Sequence, residues 1–269
     1  MGSRQAPSRL SDGQLNEIAQ RLLTAEETRV TIPPLTSEFP DLVVEDAYAI
    51  QLRVIEAKRE RGRTVVGKKA GLTSQAIQKL FGVSEPDFGH LLDNMMVESG
   101  NAISTEEAIQ PKVEPEIGFV LDSDLRGPGV TALQVIAATR YIVPVLEIID
   151  SRIAEWKIKL GDTVADNASC GRVVIGGPVH RADRFDLRLI GVVLEKNGAV
   201  IATGAGAAAL GNPANAVAWL ANKFATFDQP LRKGDLIIPG SLTSAFDAKP
   251  GDNVTATFDR LGSVSVRFV

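Results

Sequence analysis

One short stretch constrains this chain more than any other. Residues 112–121 read KVEPEIGFVL, an apolar segment that carries two carboxylates two positions apart. The apolar density predicts a β-strand, and because side chains on a strand alternate between faces, Glu114 and Glu116 should point the same way. Two adjacent carboxylates repel each other, and burying them without a partner is costly. The strand therefore predicts either a solvated face or a cation site.

A third carboxylate, Glu147, lies in another apolar run at 143–150. A divalent cation would turn the repulsion among these three side chains into binding, so we consider Glu114, Glu116 and Glu147 as a metal site. Spacing alone leaves the solvated-face alternative open, because exposed glutamate is the commoner case. With only two histidines in the chain, a histidine-rich zinc site is excluded, and oxygen ligands favour Mg²⁺ or Mn²⁺.

Composition narrows the class of protein. The 269 residues are enough for one large domain with an appendage, and 44% hydrophobic with 23% charged residues is typical of a globular enzyme. A net charge of −4 with scattered basic residues argues against nucleic acid. No apolar run reaches the roughly 20 residues that cross a bilayer, so no membrane partner is expected. The single cysteine fits a reducing compartment, and we expect a cytoplasmic protein.

The first part of the chain should be helical. Ser11 and Gln14 form a capping-box pattern before one amphipathic run, and a proline-containing loop leads to a second helix from about Glu45 to Arg61. We therefore divide the chain into an N-terminal helical segment, residues 1–62, packed on a catalytic domain formed by residues 63–269.

The catalytic domain should mix helices and strands. We predict a strand at 64–67, a short helix at 75–81, a turn-rich loop at 84–90 and a helix from Thr131 to about Arg140. The second half is richer in strands, with a type I′ hairpin signal at Asn197-Gly198 and one helix that Asn212 caps. The pattern predicts an α+β fold with a curled antiparallel or mixed sheet in the second half.

Other side chains have two interpretations each. Lys69 could stabilise an enolate or be an ordinary solvated lysine, and adjacent Lys68 leaves the choice open. Asp87 could be an acid/base group or a turn former. Ser169 has no evident histidine partner, so a catalytic triad is disfavoured. The glycines at 204–206 fit a dinucleotide fingerprint poorly and are better explained by close packing.

Several motifs together resemble the hydratase/decarboxylase branch of the fumarylacetoacetase superfamily. The likeness runs from about Val43 to Val269 and rests on the segments at 65–74, 86–89, 114–116, 146–153 and 162–171. It implies a fumarylacetoacetase C-terminal-like mixed β-roll or sandwich core and bound Mg²⁺ or Mn²⁺. It further implies a homo-oligomer, pentameric or decameric, that could associate with a decarboxylase, hydratase or aldolase of its pathway.

The resemblance also implies residue roles. Glu114, Glu116 and Glu147 match the family's metal carboxylates, while Lys69 and Asp87 match its pocket lysine and acid/base aspartate. Leu72, Thr73 and Ser169 match substrate-binding positions. Pro115 departs from the family pattern, and because proline removes a ladder hydrogen bond it predicts an edge or a bulge there.

The implied activity is metal-dependent addition of water to 2-hydroxypenta-2,4-dienoate, giving 4-hydroxy-2-oxopentanoate in the meta-cleavage degradation of aromatic compounds. The alternative on the same scaffold is decarboxylation of 2-oxo-3-hexenedioate. Carbon–carbon bond hydrolysis would need a His–Glu pair, for which His90 is the candidate, and a catalytically silent metal-stabilised subunit is the non-enzyme alternative.

Overall fold

The computed structural model describes residues 9–74, 78, 79, 82, 83 and 85–269. Its helices are α1 (Asp12–Thr28), α2 (Leu35–Glu38), α3 (Val44–Glu60), α4 (Ala132–Ala138), α5 (Leu160–Ala165) and α6 (Pro213–Ala225). Its strands are β1 (Val65–Gly71), β2 (Asp87–Leu92), β3 (Met96–Glu98), β4 (Ala102–Ile103), β5 (Lys112–Leu121), β6 (Thr139–Ile149), β7 (Cys170–Ile175), β8 (Gly191–Lys196), β9 (Ala199–Ala205), β10 (Leu236–Ile238), β11 (Phe246–Asp247), β12 (Asn253–Phe258) and β13 (Gly262–Phe268).

The strands form two sheets. The larger runs β2-β1-β10-β5-β6-β7-β3, with β11 added beside β5, and the smaller runs β4-β13-β12-β8-β9. β1 pairs with β10 in parallel, whereas β5 pairs antiparallel with β6, so the larger sheet is mixed. The α+β prediction is confirmed. The sheet expected in the second half is the smaller one, in which β8, β9, β12 and β13 lie beyond residue 190, while β1, β2 and β3 show that the first half also contributes strands to the larger sheet.

The N-terminal helices follow the sequence prediction closely. The Ser11–Gln14 capping box is formed, and α3 begins at Val44 and ends before Gly62, whose φ of 86° suits a helix stop. The intervening segment contains the short helix α2 rather than loop alone. Side chains of α3 enter the same core as the sheets, and the rings of Tyr48 and Phe88 pack at a tilt with their centroids 5.4 Å apart. The division at residue 62 stays a prediction.

The turn-rich loop predicted at 84–90 is wrong from Asp87 onward, because β2 occupies that segment and all six of its residues are buried. Pairing with β1 satisfies its backbone, and Phe88 packs among aromatic rings, which the local turn residues did not reveal. The helix predicted at 75–81 lies mostly outside the described residues. The Asn197-Gly198 hairpin is confirmed, with φ of 54° and 79° at its two central residues.

Pro115 lies inside β5 opposite Leu146 of β6, yet it breaks no ladder hydrogen bond with that strand. Its carbonyl oxygen accepts from the backbone of Leu242, 2.9 Å away, on the side remote from β6. In an antiparallel pair, the N–H and C=O of one residue point to the same side of the strand. The N–H that proline lacks would therefore point away from β6, toward the loop that contains Leu242, so no hydrogen bond between β5 and β6 is lost. Glu114 and Glu116 therefore keep the regular two-residue spacing.

Lys68 is a buried lysine on β1 whose ammonium lies 5.5 Å from the centroid of the Phe224 ring. Burial lowers its pKa to about 8; the carboxylate of Asp235 opposes that shift and the guanidinium of Arg232 adds to it. The folded-state pKa lies below the unfolded value, so the folded protein is penalised while Lys68 is charged. The penalty is complete below pH 8 and disappears as the pH rises toward 10.5.

Replacing Lys68 with methionine should therefore stabilise the protein at pH 7 by roughly 2 kcal/mol, because the buried charge is removed while its volume is kept. The wild type should gain stability between pH 8 and pH 10 relative to the variant. Urea unfolding at pH 7, 8.5 and 10 measures both effects. A difference between the two proteins that does not change with pH would contradict the prediction.

Candidate active site

Strand register brings the three candidate carboxylates together. Glu114 lies directly opposite Glu147 in the β5–β6 ladder, so both side chains project from the same face, and Glu116 follows two positions along. One carboxylate oxygen from each residue lies within 4.8 Å of the others. Glu116 and Glu147 are fully buried, and Glu114 is half-buried at the floor of a cavity.

Few hydrogen-bond donors contact these carboxylates in the described part of the protein. The backbone N–H of Gly240 donates to Glu116 Oε2 at 2.7 Å, but among the described residues Glu116 Oε1 and Glu147 Oε2 accept no hydrogen bond, and Glu147 Oε1 faces the Lys69 ammonium 2.9 Å away. Burial raises the pKa of Glu114 and of Glu116, and the charge of Glu147 raises both further. Unsatisfied buried oxygens in this arrangement fit a hard divalent cation, which takes oxygen ligands.

Lys69 supplies the positive charge beside the cluster. Its buried ammonium lies 2.9 Å from Glu147 Oε1 and donates to the carbonyl oxygen of Ala168 at 2.8 Å. Burial alone would lower the pKa of Lys69, but Glu147 and then Asp87 outweigh it and hold the pKa above its ordinary value. Three carboxylates and one ammonium leave two formal negative charges, which one divalent cation balances. The structure excludes the solvated-lysine interpretation of Lys69.

Asp87 begins β2 beside this ammonium. Its Oδ2 accepts a 2.6 Å hydrogen bond from the hydroxyl of Thr163, while the buried Oδ1 accepts none among the described residues. Gly71, its partner on β1, makes room for it, since a Cβ there would lie 2.3 Å from Oδ1. The Asp87 carboxylate is therefore fixed by Thr163 through one oxygen and has its other oxygen available to a ligand, so Asp87 is not simply a turn former.

Thr163 acts as a positioning residue for Asp87, and replacing it with valine should let the carboxylate rotate. We expect kcat to fall about tenfold, the usual cost of losing a hydrogen bond to a charged group, with KM changing less than twofold. Steady-state kinetics on Thr163→Val measures the separate changes in kcat and KM. Thr163→Ser, which keeps the hydroxyl, should retain most of the wild-type kcat. Equal kcat in Thr163→Val and the wild type would contradict the prediction.

A left-handed turn places Ser169 and the Ala168 carbonyl. Asn167, Ala168 and Ser169 all have positive φ, near 50°, a strained run for non-glycine residues that surrounding contacts must hold. The side chain of Asn167 does so by pairing with both backbone groups of His90, at 2.7 and 2.9 Å. Ser169 Oγ donates to Asp166 Oδ2 at 3.2 Å.

A cavity of about 360 Å³ opens above these groups. The sequence-predicted Lys69, Leu72, Thr73, Asp87, Glu114 and Ser169 line it, while Glu116 and Glu147 lie buried outside its lining. Sequence reasoning missed further lining residues, among them Lys112, Ile149, Trp156, Ile158 and Thr163. The local signals for Trp156 and Thr163 are weak, because a lone tryptophan is usually a packing residue and Thr163 lies in a small, polar segment.

His90 does not join the site. It is buried, lies outside the cavity lining, and its Nδ1 is 2.8 Å from Gln51 Oε1 on the side of α3. Burial lowers its pKa well below the ordinary value, and the charge of Lys68 adds to that shift. The His–Glu pair that carbon–carbon bond hydrolysis would need is therefore not formed by His90.

The glycines at 204–206 serve packing, as predicted. A Cβ at Gly204 would lie 2.0 Å from the Leu242 carbonyl oxygen, and one at Gly206 would lie 1.8 Å from that of Leu187. Across the described residues, no helix is both long and apolar enough to cross a membrane.

A mixed β-sheet holds buried carboxylates beneath a cavity, an arrangement that suits an enzyme with a divalent-cation site. The chain belongs to the fumarylacetoacetate (FAA) hydrolase C-terminal family, which matches residues 65–269.

Two relatives and one solved structure are similar to this chain over most of its length. A 2-hydroxypent-2,4-dienoate hydratase of Pseudomonas putida is 51% identical over 79% of this chain and 96% of its own length. A 4-oxalocrotonate decarboxylase of Pseudomonas sp. (strain CF600) is 43% identical over 97% of this chain and 98% of its own length. The solved 4-oxalocrotonate decarboxylase of Pseudomonas putida G7, complexed with magnesium and adipate, superposes with a TM-score of 0.95 at 40% identity, covering 98% of this chain and 100% of that one.

Proposed function

We propose that this protein is a lyase, a hydratase that adds water to 2-hydroxypenta-2,4-dienoate (2-oxopent-4-enoate) and yields 4-hydroxy-2-oxopentanoate. The observation that carries the proposal is the Asp87 carboxylate, whose Oδ1 is buried, unpaired and beside the Lys69 ammonium over the carboxylate cluster. The 51% identical relative is a hydratase by name, which supports the same activity.

Glu114, Glu116 and Glu147 would hold one Mg²⁺ or Mn²⁺. Magnesium in the similar decarboxylase structure supports this assignment. When bound, the cation supplies Lewis-acid charge that polarises a 2-oxo acid. The chain's own contribution there is geometric, because the β5–β6 register fixes Glu114 against Glu147 and Gly240 fixes Glu116.

Lys69 would stabilise negative charge on the substrate, and Asp87 would transfer protons and position water. Lys69 holds positive charge where the substrate's 2-oxygen becomes an oxyanion as its enol proton leaves. Asp87 relays a proton at Oδ1 to C5, which converts the dienol to the 2-oxo-3-enoate, and then orients water for attack at C4 as a proton is added at C3. The balance is one dienoate and one water consumed for each 4-hydroxy-2-oxo acid formed.

Leu72, Thr73 and Ser169 would contact the substrate. Leu72 has a φ of 54°, so it leaves β1 in a strained conformation that turns the chain across the cavity. Thr73 packs on Gly240, where a Cβ would lie 2.0 Å from the threonine hydroxyl. Ile149, Trp156 and Ile158 give the cavity an apolar wall that limits water near the reacting carbons.

The alternative is decarboxylation of 2-oxo-3-hexenedioate to 2-oxopent-4-enoate and CO₂. Its support is the TM-score of 0.95 with a decarboxylase that binds adipate, a dicarboxylate. The carboxylate cluster and Lys69 suit both reactions, because each requires stabilised negative charge on the substrate's 2-oxygen.

A product assay separates the two. The Mg²⁺-loaded protein is given freshly generated 2-hydroxypenta-2,4-dienoate and, separately, 2-oxo-3-hexenedioate, and products are identified by NMR. Hydration of the first without CO₂ loss from the second supports the proposal. Release of CO₂ from the second with little hydration of the first would replace it with the decarboxylase.

Assembly and location are further proposals. We propose a homo-oligomer, pentameric or decameric, because the resemblance to the family implies one. Association with another enzyme of the same pathway stays a prediction. A cytoplasmic location is supported by Cys170, which is buried and unpaired. Light scattering on the purified protein would measure the subunit number.

A further inference from the structure

The cavity lining includes a cation, Lys112, that the proposed reaction does not use. Lys112 lies on the same face of β5 as Glu114 and Glu116, because the three residues are spaced two apart, and it lines the cavity. Among the described lining residues, Lys69 and Lys112 are the cations. Lys69 belongs to the carboxylate end, so Lys112 is the cation available to the distal end of a ligand.

The position of Lys112 suits a second carboxylate. Residues two apart on a strand are about 7 Å apart, close to the span between the end carboxylates of a six-carbon chain. A ligand whose first carboxylate lies at the Glu114 end would therefore bring a distal carboxylate to the level of Lys112. The geometry alone would favour dicarboxylates such as 2-oxo-3-hexenedioate.

The ammonium of Lys112 is, however, already engaged. β11 pairs with β5 so that Asp247 lies opposite Lys112, and Asp247 Oδ1 is 2.5 Å from its Nζ. The same ammonium lies 5.4 Å from the centroid of the Trp156 ring, which forms part of the cavity wall. The side chain of Lys112 is 25% exposed and that of Asp247 is 65% exposed, so Lys112 lines the cavity while Asp247 contacts it from the solvent side, outside the lining.

We propose that Asp247 determines substrate class, because it neutralises Lys112 and so makes the distal end of the cavity select monocarboxylates over dicarboxylates. The proposal rests on the proposed function and deepens it. A dicarboxylate would have to displace Asp247 from Lys112 and approach the aspartate's own negative charge, whereas a monocarboxylate with a short apolar end leaves the pair intact.

Removing the aspartate charge tests the proposal. The Mg²⁺-loaded wild type, Asp247→Asn and the double variant Lys112→Met/Asp247→Asn are titrated by calorimetry with adipate and with hexanoate, which differ by the distal carboxylate. Asp247→Asn should raise the adipate-to-hexanoate affinity ratio about threefold over the wild type, the scale of one partly exposed ion pair, because Lys112 becomes available to the second carboxylate. The double variant should lose that gain.

Asp183→Asn is the matched control, since Asp183 forms an exposed ion pair with Arg181, a cation that does not line the cavity as Lys112 does. Its ratio should equal that of the wild type. An unchanged ratio in Asp247→Asn, or a gain that persists without Lys112, would overturn the proposal, as would a wild type that already binds adipate at least tenfold more tightly than hexanoate.

The binding and activity measurements distinguish a failure of the Asp247 proposal from a failure of the proposed function. If the wild type does not hydrate the dienoate but the affinity ratio shifts as expected, the proposed function fails and the role of Asp247 holds. If hydration is observed and the ratio does not shift, the role of Asp247 fails and the proposed function holds.

Discussion

Replacing Lys69 with methionine should reduce the hydration rate about 1,000-fold, the scale of losing one preorganised charge at a developing oxyanion. Lys69 is buried beside Glu147 and held by the Ala168 carbonyl, so its charge is already placed before substrate arrives. In the metal-free protein the variant should also be less stable by about 3 kcal/mol, because the buried Glu147 loses its counter-charge.

Lys68→Met is the matched control for this prediction, since Lys68 is also a buried lysine of β1 but does not line the cavity. It should retain most of the activity. Product formation is followed under saturating Mg²⁺, and stability by urea unfolding with and without a chelator. A Lys69→Met protein with hydration within tenfold of the wild type would remove Lys69 from the mechanism.

Replacing Glu116 with glutamine should abolish metal-dependent stabilisation while leaving the metal-free protein as stable as the wild type or more so. The amide keeps the size of the side chain and can still accept from the Gly240 N–H, but it removes one of three mutually repelling carboxylates. In the wild type, Mg²⁺ at about 100 times its dissociation constant should add about 2.7 kcal/mol.

The measurement is the thermal transition of each protein in chelator and in a Mg²⁺ series, together with the hydration rate. Glu116→Gln should show little Mg²⁺-dependent shift and at least a 100-fold lower rate at moderate Mg²⁺. Glu106→Gln, an exposed glutamate outside the cluster, should behave as the wild type. A full Mg²⁺ shift in Glu116→Gln would show that the cation does not depend on Glu116.

Local pattern was sufficient for much of the scaffold. Capping residues located α1 and α6, the Asn197-Gly198 pair located the β8–β9 hairpin, and alternation placed Glu114 and Glu116 on one face of β5. Each of these features depends on residues near one another in the chain, which is why the sequence predicts them. The resemblance to a known family added Glu147 and Asp87, which spacing had left as candidates.

What the sequence determined by itself was a strand with two carboxylates on one face and a set of α+β elements around it. The tertiary structure decided which partners those carboxylates meet. Glu147 lies opposite Glu114 because of the β5–β6 register. Lys69 rather than Lys68 lines the cavity, because its face of β1 is the one that meets the cavity. The pairing of β11 with β5 places Asp247 beside Lys112, although the two residues are 135 positions apart in the chain. Such contacts depend on long-range pairing, whose register no local spacing encodes.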